Sequence, residues 1–298
     1  LADFAYHCMT WRLSPGQFRG LAGYDLAALG IPSEADYVAA YCERTGITTP
    51  EAWGGAGLGF REYVIVVEEI AKVSVPYAVV LAVTGLPQQT LKVVGPDAQK
   101  EKWLRPLAEV KLLGAFALTE PSVGSDAANL KTAATRSGDS YVLSGQKMFI
   151  TSAGFADVYV VFARTGGLSA KGISSFLVHK DDKGFVVGAP EKKMGWHSSP
   201  LAQLFFEDCR IPADRLLGAE GDGFKHAMAA LDSGRITIAA SSVGLMRGAL
   251  AACVKYGKER VAFGKPITDN QAIQFMLADM DQKIAASARL VEHVAALR

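Results

Sequence analysis

The spacing of apolar positions along this chain changes twice, and each change marks a different kind of structure. Between Gly59 and Leu107, the residues Val64, Val67, Ile70 and Ala71 recur at three- and four-residue intervals, the period of a helix with one buried face. Asp97 stands where it can cap a further helical segment carrying Trp103 and Leu107. From about Phe116 to Gly218 the pattern becomes short runs of Val, Ile, Phe and Tyr, divided by the turn signals Ser137-Gly138, Ser144-Gly145, Gly166-Gly167 and Lys183-Gly184. These runs predict strands at 140–143, 147–151, 158–163, 174–179 and 203–207, and their regular spacing predicts a small barrel or sandwich. After Gly223 the helical period returns, first over 224–258. It resumes in a second helix where Ile273, Met276, Leu277, Met280, Ile284, Val291 and Val294 form one apolar stripe. Two helices cannot bury both faces alone and an up-and-down bundle takes four, so at Arg298 the bundle is about half built.

The first 48 residues follow no such plan. They hold Trp11, Phe18, Tyr24, Tyr37 and Tyr41 in helical runs broken by Pro15, Gly16 and Pro32, which places a junction near Ile47 to Pro50. The division expected is a tail segment at 1–48, a partial helical domain at 50–115, a β domain at 116–220 and an incomplete helical bundle at 221–298. That is an α+β multidomain chain.

Composition narrows the function. At 298 residues and 50% hydrophobic content there is material for two or three packed domains, and a net charge of +1 leaves no electrostatic footprint for nucleic acid or an anionic membrane. A small-molecule substrate fits. Cys8, Cys42, Cys209 and Cys253 are far apart with no Cys-x-x-Cys pair, which reads as free thiols and no metal site. The most apolar stretch, 73–86, contains Ser74, Pro76 and Thr84 and is too short to span a bilayer, so no membrane span is expected. The start at Leu1 has neither the basic residues nor the apolar run of a signal peptide, and is expected not to be a natural start.

Two segments carry candidate chemistry. Phe116-Ala117-Leu118-Thr119-Glu120-Pro121-Ser122-Val123-Gly124-Ser125-Asp126 joins a strand to a proline turn with hydroxyls beside small residues, a way to offer N–H and O–H donors to an accepting ligand. By composition alone an ordinary polar turn is the favoured reading. Met148-Phe149-Ile150-Thr151-Ser152 puts an aromatic ring and a hydroxyl on one face of a strand, which by itself is more often packing.

Taken with Leu231-Asp232-Ser233-Gly234-Arg235 and Arg260-Val261-Ala262-Phe263-Gly264, these segments resemble the acyl-CoA dehydrogenase family from about Pro50 to Arg298. Among its members the chain is most similar to the short-chain and isobutyryl-CoA dehydrogenases, through YVVFARTGGLSAKG at 159–172, KKMGWHSSP at 192–200 and FEDCRIP at 206–212. The resemblance implies an FAD cofactor. Phe116 and Leu118 would present backbone groups to the flavin ring, the Thr119 hydroxyl would meet its pyrimidine edge, and Ser125 would sit near its phosphates and the substrate's pantetheine. Phe149 would pack on the isoalloxazine, with Thr151 donating towards N5; Gly124 and Ile150 belong to the same two cofactor-binding segments. Asp232 and Arg235 match the helix segment that meets the CoA part of the substrate, so that Ser125, Asp232 and Arg235 are the expected substrate-binding residues. Arg260, Phe263 and Gln271 match residues that reach the FAD of a neighbouring subunit, where Arg260 could otherwise be a solvated helix end.

The reaction so implied is FAD-dependent α,β-dehydrogenation of a short, branched acyl-CoA, isobutyryl-CoA-like, to the 2,3-enoyl-CoA. A carboxylate takes the α-proton, the β-hydride goes to flavin N5, and electrons pass to an electron-transferring flavoprotein. An acyl-CoA oxidase and a non-catalytic flavin-binding fragment are the alternatives. Most members carry the glutamate base near the C-terminus and others immediately before the arginine matching Arg235. Here that second position is Gly234, so no catalytic residue is assigned within the chain, the base is expected beyond Arg298, and the 298 residues are expected to be impaired as an enzyme. Glu120 sits in the flavin segment, where the family uses it structurally. A homotetramer with bundles at its centre is implied for the complete protein, in the cytoplasm of a bacterium or the mitochondrial matrix of a eukaryote. Residues 1–47 resemble the last part of an aminoglycoside-phosphotransferase-like domain, through LADFAYHCMTWR at 1–12 and LAGYDLAALGIPSEADYVAAYCERTG at 21–46, without that family's catalytic aspartates.

Overall fold

The computed structural model describes residues 48–297. The phosphotransferase-like segment at 1–47, with Cys8 and Cys42, lies outside the described residues. Contacts divide the chain into two units, one made of residues 48–58 with Ala82–Gly234, the other of Gly59–Leu81 with the chain from Arg235 on.

The first unit is built on an eight-stranded sheet: β1 (Gly114–Ala117), β2 (Ala133–Ser137), β3 (Ser140–Thr151), β4 (Val158–Arg164), β5 (Ile173–His179), β6 (Phe185–Pro190), β7 (Leu201–Pro212) and β8 (Leu216–Leu217). Their order is β6-β7-β3-β2-β4-β5-β8, and β1 joins β4 in parallel. β4 is an unbroken apolar run because both its faces are buried. Tyr159, Val161 and Ala163 enter a core that the sheet encloses by curling on itself. There Tyr159 meets Phe185 of β6 at 4.8 Å, and Tyr141 of β3 meets Phe176 of β5 at 4.9 Å. On the other face, Val158, Val160 and Phe162 pack with Leu86 and Leu91 of α2 (Val75–Val94). Trp103, Leu104 and Leu107 complete that layer from a helical run, α3, made of Asp97–Gln99, Lys100–Leu104 and Arg105–Ala108.

Three local expectations are corrected. Asp97 is the first residue of α3 rather than its cap; Pro96 holds the cap position, and Asp97 instead pairs with Lys100 at 3.7 Å. The runs 140–143 and 147–151 are one strand, and Ser144-Gly145 is not a turn. It faces an irregularity in β7, where the register with β3 shifts and Asp208 takes φ 49. Gly145 lies at φ 141, and a Cβ there would come within 2.8 Å of the Thr132 backbone, so glycine is what the close approach requires. β1 ends at Phe116-Ala117, where the sequence predicts a strand leading into the proline turn; β2, β6 and β8 lie outside the predicted runs, and β2 buries only Ala134.

In the second unit, α1 (Phe60–Ala71) buries Val64, Val67 and Ala71 of the expected face together with Tyr63, while Ile70 is half-buried. It packs on α5 (Gln271–Ala296) and comes very close to α4 (Gly223–Glu259). A Cβ on Gly244 would lie 2.2 Å from the Glu68 carbonyl oxygen, and one on Gly248 would lie 2.3 Å from that of Lys72. In an open helix Gly→Ala gains roughly 0.8–1 kcal/mol from propensity. Gly244→Ala should reverse that sign and destabilise the fold by about 1–3 kcal/mol, since two backbones must move apart. Urea denaturation of the variant measures it, and a gain in stability would contradict this packing.

The apolar stripe on α5 is only partly open. Ile284 and Val291 are buried, while Met276 and Val294 are exposed and Ile273, Leu277 and Met280 are half-buried. With the bundle about half built the stripe is expected to be an exposed apolar face; it is instead covered in part, since α1 is among the elements packed on this helix and Arg61 is paired with Glu292. By length and composition α4 is one helix long and apolar enough to cross a membrane. It carries Asp232, Arg235 and Arg247 along its length, and Arg247 is paired with Glu68 of α1.

Candidate functional site

Beyond β1 the chain enters the segment 118–132, which is held from beneath by two cations. Lys147 of β3 is fully buried, and its ammonium donates to the Leu118 carbonyl at 3.1 Å and to Glu120 Oε1 at 2.8 Å. The Glu120 carboxylate also accepts from the backbone N–H groups of Thr132 at 2.9 Å and Lys131 at 2.6 Å. Burial raises the Glu120 pKa, but the charge and hydrogen bonds of Lys147 and those from Thr132 and Lys131 outweigh it and hold the carboxyl below its ordinary value. Burial likewise brings the Lys147 ammonium down to about 8 against the raising effect of Glu120. Glu120 is thus ionised and fully engaged, as an anchor rather than a base. Arg164 completes the hold, donating to Leu130 O at 3.0 Å and Ala128 O at 2.7 Å.

The second segment is joined to the first by a hydrogen bond from Met148 N to Thr119 O at 2.8 Å. β1 and β3 are not paired strands of the sheet; the loop after β1 brings the two together. Between Lys147 and Ile150 the β3–β7 register shifts by one residue, this time with the extra residue on β3. Phe149 takes φ 57 and Ser152 φ 66, conformations that cost a side-chain-bearing residue about 1–3 kcal/mol each. The shift keeps Lys147 and Ile150 facing inward and leaves the Phe149 ring 53% exposed.

These features fit a planar, accepting cofactor. The hydroxyls of Thr119, Ser125 and Thr151 make no hydrogen bond among the described residues, and the buried Ser152 Oγ has no partner. Gly124 has open space where a Cβ would stand. Phe116, by contrast, turns its ring into the helix-facing core, 4.9 Å from Phe162, so only its backbone can meet a ligand. The Leu118 carbonyl is taken by Lys147. Asp232 is exposed on α4 in the same unit.

In the other unit, Arg235 is exposed on α4, Arg260 and Phe263 lie in the connection from α4 to α5, and Gln271 is the first residue of α5; all are exposed. β9 (Val261–Ala262) and β10 (Lys265–Pro266) form a hairpin whose two-residue turn, Phe263-Gly264, has positive φ at both positions, 52 and 80. Phe263 is fully exposed at its tip. Sequence reasoning missed Lys147, Arg164 and Ser152. For Lys147 a signal existed, because strand alternation from Tyr141 and Leu143 points it inward. Of the cysteines, Cys209 is buried and its thiol is pushed up to about 12 by burial, while Cys253 is exposed; both are free. Among the described residues no cluster suits a metal ion.

A helical block, a curled sheet that carries a candidate ligand cradle and a pair of long helices follow one another along the chain. Three family descriptions match the chain: "Acyl-CoA dehydrogenase, N-terminal domain" over residues 22–111, "middle domain" over 115–209 and "C-terminal domain" over 221–298. The chain belongs to the acyl-CoA dehydrogenase family, whose members are FAD-dependent flavoproteins. The first match begins ahead of the boundary set above at residue 50. An acyl-CoA dehydrogenase of Bacillus subtilis (strain 168) is 44% identical over 254 residues, covering 85% of this chain and 67% of that protein. The structure of butyryl-CoA dehydrogenase from Megasphaera elsdenii is 42% identical with a TM-score of 0.84, covering 90% of this chain and 72% of its own. A chain in the structure described as the electron transferring flavoprotein of Acidaminococcus fermentans is 46% identical with a TM-score of 0.85, covering 88% and 70%. The chain spans about two thirds of the length of the curated relatives it matches.

Proposed function

We propose that this chain is part of an FAD-dependent enzyme that dehydrogenates a short, branched acyl-CoA, isobutyryl-CoA-like, to the 2,3-enoyl-CoA and passes electrons to an electron-transferring flavoprotein. The observation that carries this reading is the cross-linked pair of segments, Leu118–Thr119 tied to Lys147–Met148, which holds unpartnered hydroxyls beside an exposed ring. The butyryl-CoA dehydrogenase likeness supports a short acyl chain, and the Acidaminococcus fermentans likeness supports the electron acceptor. FAD, when bound, supplies hydride-accepting chemistry. The chain's own part is to seat the ring against Phe149, to donate from Thr119 and Thr151, and to hold the acyl-CoA through Ser125, Asp232 and Arg235. The exposed Phe263 hairpin, with Arg260 and Gln271, would serve a second subunit's cofactor in a homotetramer. Because Gly234 has no side chain, the α-proton is taken by a glutamate that the family resemblance puts beyond Arg298.

Thr119→Ala combined with Thr151→Ala should weaken FAD retention or shift the visible flavin spectrum, since two donors to the ring are removed. Loss of two neutral hydrogen bonds of about 0.5–1.5 kcal/mol each corresponds to roughly a 5- to 150-fold rise in the FAD dissociation constant. Equilibrium titration followed by fluorescence measures it, and unchanged affinity and spectrum would sink the assignment. Hydrogen peroxide formed on oxidation of acyl-CoA would point instead to an oxidase.

A further inference from the structure

We propose that Lys147 is a positioning residue for the flavin: by gripping the Leu118 carbonyl it sets the plane of the Leu118–Thr119 peptide and so presents the Thr119 N–H to the cofactor. In a trans peptide the C=O and N–H point in opposite directions. A carbonyl drawn to the buried ammonium at 3.1 Å therefore turns the Thr119 N–H away from the interior. That N–H has no partner among the described residues. The next peptide is fixed independently, by Met148 N donating to Thr119 O at 2.8 Å and Glu120 N donating to Val123 O at 2.9 Å.

The choice of a lysine is otherwise hard to explain. A wholly buried ammonium is costly, and well-packed apolar residues commonly replace a buried ion pair without loss. Here the amine instead spans two acceptors on one loop, the Leu118 carbonyl and the Glu120 carboxylate, while its own backbone belongs to the strand that carries Phe149 and Thr151. One side chain thereby sets both segments of the cradle in mutual register. This inference rests on the flavin reading above and deepens it.

The test compares Lys147→Met with Leu143→Ala, a fully buried position on the same strand outside the Lys147 contacts. Both are assayed as full chains at a temperature where circular dichroism shows them folded, by FAD titration, by visible spectrum and by hydrogen exchange of the Thr119 amide with and without FAD. The expected result is that Lys147→Met raises the FAD dissociation constant about tenfold or more and abolishes FAD-induced protection at Thr119. Leu143→Ala should keep both near the unmodified chain. Should Lys147→Met fail to fold, Glu120→Gln/Lys147→Met, which removes both charges, carries the same comparison. Equal FAD losses in the lysine and leucine variants, or retained Thr119 protection without Lys147, would overturn the proposal while leaving the flavin reading intact. If the unmodified chain binds no FAD, both fall together.

Discussion

Gly234→Glu should raise isobutyryl-CoA dehydrogenation by the 298-residue chain by a factor of about 10²–10⁴, the usual worth of a positioned general base. Gly234 lies within α4, and a Cβ there would meet only Leu86 Cδ2, at 3.7 Å, an ordinary contact. Replacing a mid-helix glycine also favours the helix by several tenths of a kcal/mol, so the variant should fold at least as well as its parent. Dye reduction under saturating FAD reads the activity, and thermal unfolding checks the fold. A chain extended with a glutamate-bearing C-terminal segment of the kind the family resemblance implies is expected to be faster still. A folded, FAD-loaded Gly234→Glu variant with no gain would refute the placement of the base. Turnover by the unmodified chain at the rate of the extended one would show that another residue serves.

Lys147→Met should cost about 3–5 kcal/mol of folding stability, the largest loss expected from any single substitution considered for this chain. The figure reflects what remains: Glu120, only 5% exposed, keeps its charge with no cation opposite. Adding Glu120→Gln removes that stranded charge and leaves one oxygen for the Lys131 and Thr132 amides, so the double variant should regain at least half of the loss. Urea unfolding of the two single variants and the double closes the cycle. Simple additivity, with the double variant losing the sum of both, would mean that the pair is not coupled and that the 118–132 segment is held by something else. Because the same lysine is proposed to orient Thr119, restored stability without restored FAD affinity would separate the two roles.

The helices were legible because their signal is local. Val64, Val67 and Ala71 recur at the helical period and are buried, and 224–258 falls within the observed Gly223–Glu259. The longer apolar strands were legible for the same reason, although the two halves of β3 were read as separate. Site residues emerged from family resemblance rather than from composition, since a hydroxyl beside a glycine looks the same in any polar turn. The bulges in β3 and β7 escaped because an extra residue is defined only against its partner strand, here through the Lys147↔Leu204 and Ile150↔Ala202 pairings. Gly244 and Gly248 gave no sign of why they are glycine, because the carbonyls they admit belong to α1, far away in sequence.

By itself, then, the sequence determined the long helices, the longer apolar strands, the order of helical and β segments and the family, all of which rest on period and motif within short windows. Only the tertiary structure decided how Glu120 performs its structural part, with Lys147 as its buried partner, and that Phe149 is turned outward. Each of those outcomes depends on a contact between residues distant along the chain, where the low dielectric of the interior makes an unpaired charge untenable.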